Sequence, residues 1–448
     1  MIKRRNFLLG GTLAAVAPLL PDSPALASAG AGFAVQTVAT GVAVKSDRRA
    51  MAGGLYDPVA GKTFISWTGE NTNPYVAAYD HAAGTWTQPI KVGQSPKADS
   101  HHYPVMIQAR DGRLLVFYGS HNSVQRLAAS QPHTVEGGWT DGTVDAAPRS
   151  TYPMPVKAAN GDIYLFFRAT PHNDDPSLPT DYRPIHYLLS TDDGRTWTHS
   201  KDLEGIPFAI GSTDRPDNCN EVYIGEIEVT PARGNVPERF HFVWTLAGGG
   251  PGRHEHDYYH RNLYYAAFQP GDRHFYSAAG DDLGTRVDCG EASRLPLVLE
   301  TELKRAKPLS RDVGYTHLVG STAGNRPVLL FMLQDGDTTV VHAAAWQGRK
   351  WRIAEMTREA TLFDKEQISP TALRVYANPA DGTSAVHTYI LKHGRHWRSE
   401  ARVPTPARIQ RASLIAGFRD PARVVLTGSA SSPAVPAGGM FVLGMPVT

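Results

Sequence analysis

From about residue 55 onward the apolar positions do not recur at helical spacing. They come in runs of about five residues bounded by Gly, Pro, Asn and Asp, the pattern of short strands and tight turns. The runs recur in groups. "KTFISWTG" and "PYVAAYDHAAGTWTQ" form the first, closing at Trp86. "RLLVFYGS", "QRLAASQ" and "GGWTD" close at Trp139, and "DIYLFFRAT" with "IHYLLSTDDGRTWTH" closes at Trp197. "RFHFVWTL" with "NLYYAAFQPGDRHFYS" has Phe275 in the tryptophan place. "RPVLLFMLQ" with "TVVHAAAWQGRKWRI" ends at Trp351, and "LRVYANP" with "SAVHTYILKHGRHWRS" at Trp397. "IAGFRDPARVVLTGS" with "GGMFVLG" is a degenerate last copy.

Seven meander units of roughly 45–80 residues predict an all-β fold, a seven-bladed β-propeller in a single domain. A four-stranded sheet cannot bury both faces alone, and stacking blades about an axis does so. Blade 2 is expected near 100–142 and blade 3 near 148–200. "STDDGRTW" at 190–197 fits the Asp-box pattern S-x-D-x-G-x-T-W, in which the Asp caps a turn and the Trp packs between blades. That motif is read as structural. Two domains or a β-sandwich are the alternative architectures.

The 448 residues allow a sizeable core. A formal net charge of +2 with no long basic block argues against a nucleic-acid partner. The N-terminus, "MIKRRNFLLGGTLAAVAPLLPDSPALASAG", has Arg4-Arg5, an apolar stretch to Leu20 broken by proline, and small residues at 25–27. It predicts a twin-arginine export signal over 1–27, with the propeller over 28–448 and the mature protein secreted or periplasmic. No other segment is apolar enough to span a bilayer, and a monomer is expected. Two cysteines, Cys219 and Cys289, cannot form a disulfide framework; one bridge, a metal site or two buried thiols stay open.

Two successive hairpins carry unusual groups at one end. "HHYPVMIQARDGRLLVFYGSHNS" turns at Asp111-Gly112, which places His101 and His102 opposite Asn122 and His121. "TYPMPVKAANGDIYLFFRAT" turns at Asn160-Gly161, which places Tyr152 opposite a residue beside Arg168. Adjacent blades then bring His101 or His102, His121, Tyr152 and Arg168 to one cleft. A lone Tyr or Arg at a strand end is ordinarily a surface residue; recurrence in two blades favours a site.

His, Tyr and Arg without a carboxylate pair suit elimination at a uronic acid. The C5 proton becomes acidic once an Arg neutralises the adjoining carboxylate. A neutral His or a Tyr takes that proton, and the other donates to the leaving glycosidic oxygen. Hydrolysis instead needs two flanking Asp or Glu residues.

"HHYP…DGRLLVFYGSHNS" followed by "TYP…NGDIYLFFR" resembles the seven-bladed propeller polysaccharide lyases that cleave ulvan, and their relatives acting on rhamnose–glucuronate linkages. The resemblance is strongest over about 60–270 and beyond that rests on the blade pattern. It implies that His101, in His-x-x-Pro spacing with Pro104, moves the proton. It gives His121 the place of the family's second histidine, Tyr152 that of the partner acid or base, and Arg168 that of the carboxylate neutraliser. Tyr223 in "NEVYIGEIEV" takes the place of a substrate-side tyrosine, with His102 and Asn122 beside the substrate. His102 leaves the identity of the base open by one residue. The resemblance also implies no cofactor in catalysis but a structural zinc or calcium, with His256, His260, Cys289 and His317 as candidate ligands; a Cys219–Cys289 disulfide is the other use of the cysteines. Competing readings are a rhamnosidase- or sialidase-like hydrolase and a non-catalytic carbohydrate- or protein-binding propeller.

Overall fold

The structure, a computed structural model, describes residues 32–40, 53–212, 215–249, 255–290, 296–301, 318–322, 326–428 and 438–446. The predicted export signal lies outside them. Their strands fall into seven antiparallel meanders. The inner strands, in chain order, are Gly54–Asp57, Val105–Gln108, Ser150–Lys157, Glu221–Thr230, Leu318–Thr322, Ala360–Ser369 and Ile409–Arg419. Each contacts the next, and the last contacts the first, so the ring closes. Where the ring closes, a single parallel bridge, Leu55 to Ala416, joins two meanders into one nine-stranded sheet. Seven separate apolar clusters fill the spaces between successive blades. This is the seven-bladed propeller expected from the repeat.

Strand alternation feeds those clusters. In blade 1, Phe64 and Val76 face blade 2 while their neighbours Ile65 and Ala77 face blade 7. Side chains one residue apart point to opposite faces of a sheet, so each blade is apolar on both sides. A fully buried Phe or Ile contributes about 1.5–3 kcal/mol. The core is therefore distributed among seven interfaces rather than gathered in one place.

Two features of the ring were not legible in the repeats. The degenerate last unit is completed by Ala34–Thr40, which pairs with Gly439–Gly444, so chain start and chain end share blade 7. Phe33 beside that strand lies under the guanidinium groups of Arg374 and Arg423, at 5.3 and 5.7 Å. In addition, Lys365 of blade 6 reaches Glu226 (3.2 Å) and Glu228 (2.5 Å) of blade 4 in the central channel.

The Asp box behaves as expected. Asp192 accepts the backbone N–H groups of Arg195 and Thr196, and Gly194 takes φ +79°. Trp197 meets Phe117 of blade 2 edge-on at 5.8 Å. Among the described residues no helix is long and apolar enough to cross a membrane.

Candidate active site

The predicted cluster lies where the inner strands of blades 2, 3 and 4 begin. Its floor is a small apolar group of Tyr103, Val105, Tyr152, Tyr223 and Ala247. The histidine wall differs from the hairpin expectation. The blade 2 ladder stops at Val105–Phe117, so residues 101 and 102 do not pair across the hairpin with 121 and 122. Instead, residues 99–102 form a turn, in which His102 N–H donates to the Asp99 carbonyl at 3.0 Å. His121–Ser123 leaves blade 2 and joins blade 3 beside Ser150 and Thr151. The two histidines still meet, because one carboxylate holds both. Asp99 accepts from Nδ1 of His101 and Nδ1 of His121, each at 2.7 Å, and the rings stack at 3.8 Å.

His101 and His102 do separate, as expected, but through a turn rather than strand alternation. His101 lies 5.8 Å from the Tyr152 ring. His102 is fully buried and bonds by Nδ1 to the Lys97 carbonyl. Asn122, read as a substrate-side residue, is tied to Thr151 and Thr170 through its amide oxygen.

The tyrosine–arginine wall comes from a local irregularity. Thr151 pairs with Arg168, but the ladder resumes only at Met154–Phe166. The bulge contains Tyr152, at φ +59°, and Pro153, which has no N–H to donate. A non-glycine residue in that region costs of order 1–3 kcal/mol, a strain that concentrates at functional positions. The bulge puts the Tyr152 ring 4.7 Å from the Arg168 guanidinium; Tyr223 approaches the same group at 4.5 Å. Arg168 is only 1% exposed, so its guanidinium sits behind the tyrosines rather than open to the cleft.

Beneath Arg168 lies a residue that sequence reading missed. Glu221 is fully buried and stands 3.7 Å from Arg168 and 3.6 Å from Arg183. It accepts from His256 Nδ1 at 2.7 Å, from the Asp257 N–H at 2.6 Å and from the Tyr223 hydroxyl at 3.2 Å. Its only signal in the sequence was its place two residues before Tyr223.

Asp99 and Glu221 are held ionised. Burial alone would raise Asp99, but the hydrogen bonds from His121, the His101 backbone and the His101 ring outweigh it and hold it well below the usual range. Glu221 is likewise lowered, burial being outweighed by the His256 hydrogen bond and the charges of Arg168, His256 and Arg183. Burial lowers His121, against the opposing pull of Asp99, and so favours a neutral imidazole.

Among the described residues, the three predicted metal ligands His256, His260 and Cys289 do not form one cluster. His256 is committed to Glu221 and His260 to Asp257, Cys289 sits in the apolar layer between blades 3 and 4, and His317 lies outside the described residues. Among the described residues, the group that can hold a metal is Asp99, His101 and His121, with ligand atoms within 4.8 Å of one another. The disulfide alternative is not formed either: Cys219 and Cys289 are free, buried thiols.

The model of a BNR repeat-containing family matches residues 62–359. The chain belongs to this BNR repeat-containing family. It is 24% identical over 322 residues to an ulvan lyase of Alteromonas sp. (strain LOR), covering 65% of this chain and 61% of that protein. It is 25% identical over 268 residues to "Ulvan Lyase-PL25" of Pseudoalteromonas sp. (strain PLSV), covering 54% of this chain and 51% of that one. The chain thus spans about half to three fifths of the length of these curated relatives. Its fold matches a solved PL25 ulvan lyase bound to -[GlcA(1-4)Rha3S]-, with a TM-score of 0.70 at 18% identity over 93% of this chain and 96% of that one.

Proposed function

We propose that this protein is a polysaccharide lyase that cleaves an ulvan-like, uronate-containing polysaccharide by β-elimination. The observation that carries the reading is the carboxylate-held histidine pair facing a tyrosine backed by a buried arginine. The family membership and the ulvan lyases among the relatives support the same substrate class.

In this reading Asp99 keeps the proton of His101 on Nδ1, so Nε2 is the basic nitrogen. That nitrogen takes the C5 proton of the uronate. The anionic Asp99 then stabilises the new imidazolium, and the stacked His121 stays neutral, because two imidazolium rings at 3.8 Å would repel each other. The Tyr152 phenol donates to the departing glycosidic oxygen, and the charge of Arg168 behind it stabilises the phenolate that remains. The same positive charge favours the developing enolate. The double bond forms between C4 and C5 as the C4–O bond breaks, and no water is consumed.

A hydrolase needs a protonated carboxylic acid near the bond. Asp99 and Glu221 are both held ionised, which disfavours that alternative. Export by the twin-arginine route to the periplasm or the medium completes the proposal, on the strength of Arg4-Arg5 and the apolar stretch after them.

The test is digestion of a panel of uronate polymers, ulvan included, followed by ultraviolet absorbance of the unsaturated uronate. Reducing ends appearing without that absorbance mark a hydrolase and sink the proposal.

A further inference from the structure

Arg183 approaches Glu221 from blade 3. It lies just before the third strand of blade 3, and its backbone is locked to blade 4 by a bridge to Glu221, with the Val222 N–H donating to the Arg183 carbonyl at 3.0 Å. Its side chain reaches the same Glu221 oxygen as Arg168 does, at 3.6 Å against 3.7 Å. Both distances exceed a hydrogen bond. Nε of Arg183, and Nε and Nη1 of Arg168, are buried with no hydrogen-bond partner.

Two guanidinium groups therefore share one carboxylate, and that carboxylate is already claimed by His256, Tyr223 and the Asp257 N–H. One positive charge is left over in a buried place, together with several unmet donors. Buried polar groups are almost always satisfied, so such a group signals an absent partner of opposite charge. The two arginines differ in access: Arg183 is 9% exposed and Arg168 1%. The Tyr223 and Tyr152 phenols also lie close enough to act electrostatically on Arg183. It thus shares the tyrosine wall of the site.

We infer that Arg183 and Arg168 form a two-guanidinium seat for the substrate's carboxylate, with Arg183 the member that touches it and Glu221 the counter-charge that holds both in place. This rests on the lyase reading for the identity of the anion but not for the existence of the seat. A planar guanidinium grips a carboxylate through paired N–H groups, and does so most strongly where water is excluded. The placement also resolves the position of Arg168, which is sealed behind Tyr152 and Tyr223. In the seat it supplies charge from behind while Arg183 makes the contact. Burial, and next the Arg168 charge, lower Arg183 from the ordinary arginine value, the direction for a cation awaiting an anion.

Three measurements on the full chain and on Arg183→Gln test this. In thermal melts, a structural counter-ion of Glu221 would lower Tm when removed. A seat for an absent anion leaves Tm equal or higher, because Gln relieves the repulsion with Arg168. In ligand-observed NMR titrations, sodium glucuronate should bind the wild type more tightly than glucose, and Arg183→Gln should lose about tenfold of that affinity, the scale of one charge-assisted contact. In steady-state assays KM for the uronate polymer should rise about tenfold or more, with Arg183→Lys intermediate. A drop in Tm with unchanged glucuronate affinity overturns the inference, and so does a wild type that binds glucuronate no better than glucose. Should Arg183→Gln fail to fold, Arg183→Lys carries the test, and wild-type affinity for glucuronate in that variant also overturns it. Glucuronate binding that depends on Arg183 in a protein producing no unsaturated uronate leaves the seat standing and removes the lyase reading. Turnover with an unchanged KM in Arg183→Gln does the reverse.

Discussion

Asp99→Asn is the most informative single change. Asp99 accepts Nδ1 of both His101 and His121 at 2.7 Å. Asparagine is nearly isosteric, but it presents one acceptor and one donor. Its amide N–H can face a ring nitrogen only if that imidazole moves its proton to Nε2, which destroys the base. The charge is also lost. A hydrogen bond to a charged acceptor is worth about 1.5–3 kcal/mol, and one such bond must go while the other weakens. A barrier raised by about 3 kcal/mol corresponds to roughly a 10²-fold fall in kcat, the lower part of the range for general-base catalysis. The pH profile adds a second readout. Activity needs a neutral imidazole, so it is lost as pH falls through the histidine value. Burial already places His121 below its ordinary value, while Asp99 opposes that shift. Removing the anion therefore moves the acid limb to lower pH even as the plateau drops. The assay is initial rate by ultraviolet absorbance over a pH series, with circular dichroism as the folding control. An Asp99→Asn enzyme within threefold of wild type, with an unmoved acid limb, would refute the dyad reasoning.

His101→Ala should lose about 10²-fold or more in rate, whereas His102→Ala, which empties a buried site, should keep its low-temperature kcat and lose about 1–3 kcal/mol of stability in denaturant melts; the reverse pattern would reassign the base. Arg168→Lys should fall by about 10²-fold in kcat/KM, because an ammonium cannot lie against two tyrosine rings while facing Glu221; near-normal kinetics would show that a point charge suffices. Lys365→Met should destabilise by about 3–5 kcal/mol, since it leaves Glu226 buried and uncompensated; an unchanged Tm would mean the central-channel clasp between blades 4 and 6 contributes nothing.

The blade count, the turn positions and the end of the ring that carries the site were legible in the chain alone. Period-two apolar runs, Asn-Gly and Asp-Gly turns and a recurrent closing aromatic are local signals, and a propeller is assembled from units whose contacts are mostly with the next unit. His101, His121, Tyr152 and Arg168 were found together because hairpin pairing is nearly local too. What failed was everything that depended on register or on distant pairing. The ladder in blade 2 stops at Val105, and His121 crosses to blade 3, because a turn stabilised by Asp99 replaces the expected strand. The N-terminal strand Ala34–Thr40 finds Gly439–Gly444 at the far end of the chain, a pairing that no spacing announces. Glu221, Arg183 and His256 come from separate segments and meet only when blades 3 and 4 stack. A carboxylate's partners are set by burial and approach, and neither exists before the ring closes. The sequence by itself determined which blades would form and which ionisable groups would lie at one end. Only the tertiary structure decided which carboxylate holds which cation, and hence which histidine faces the cleft.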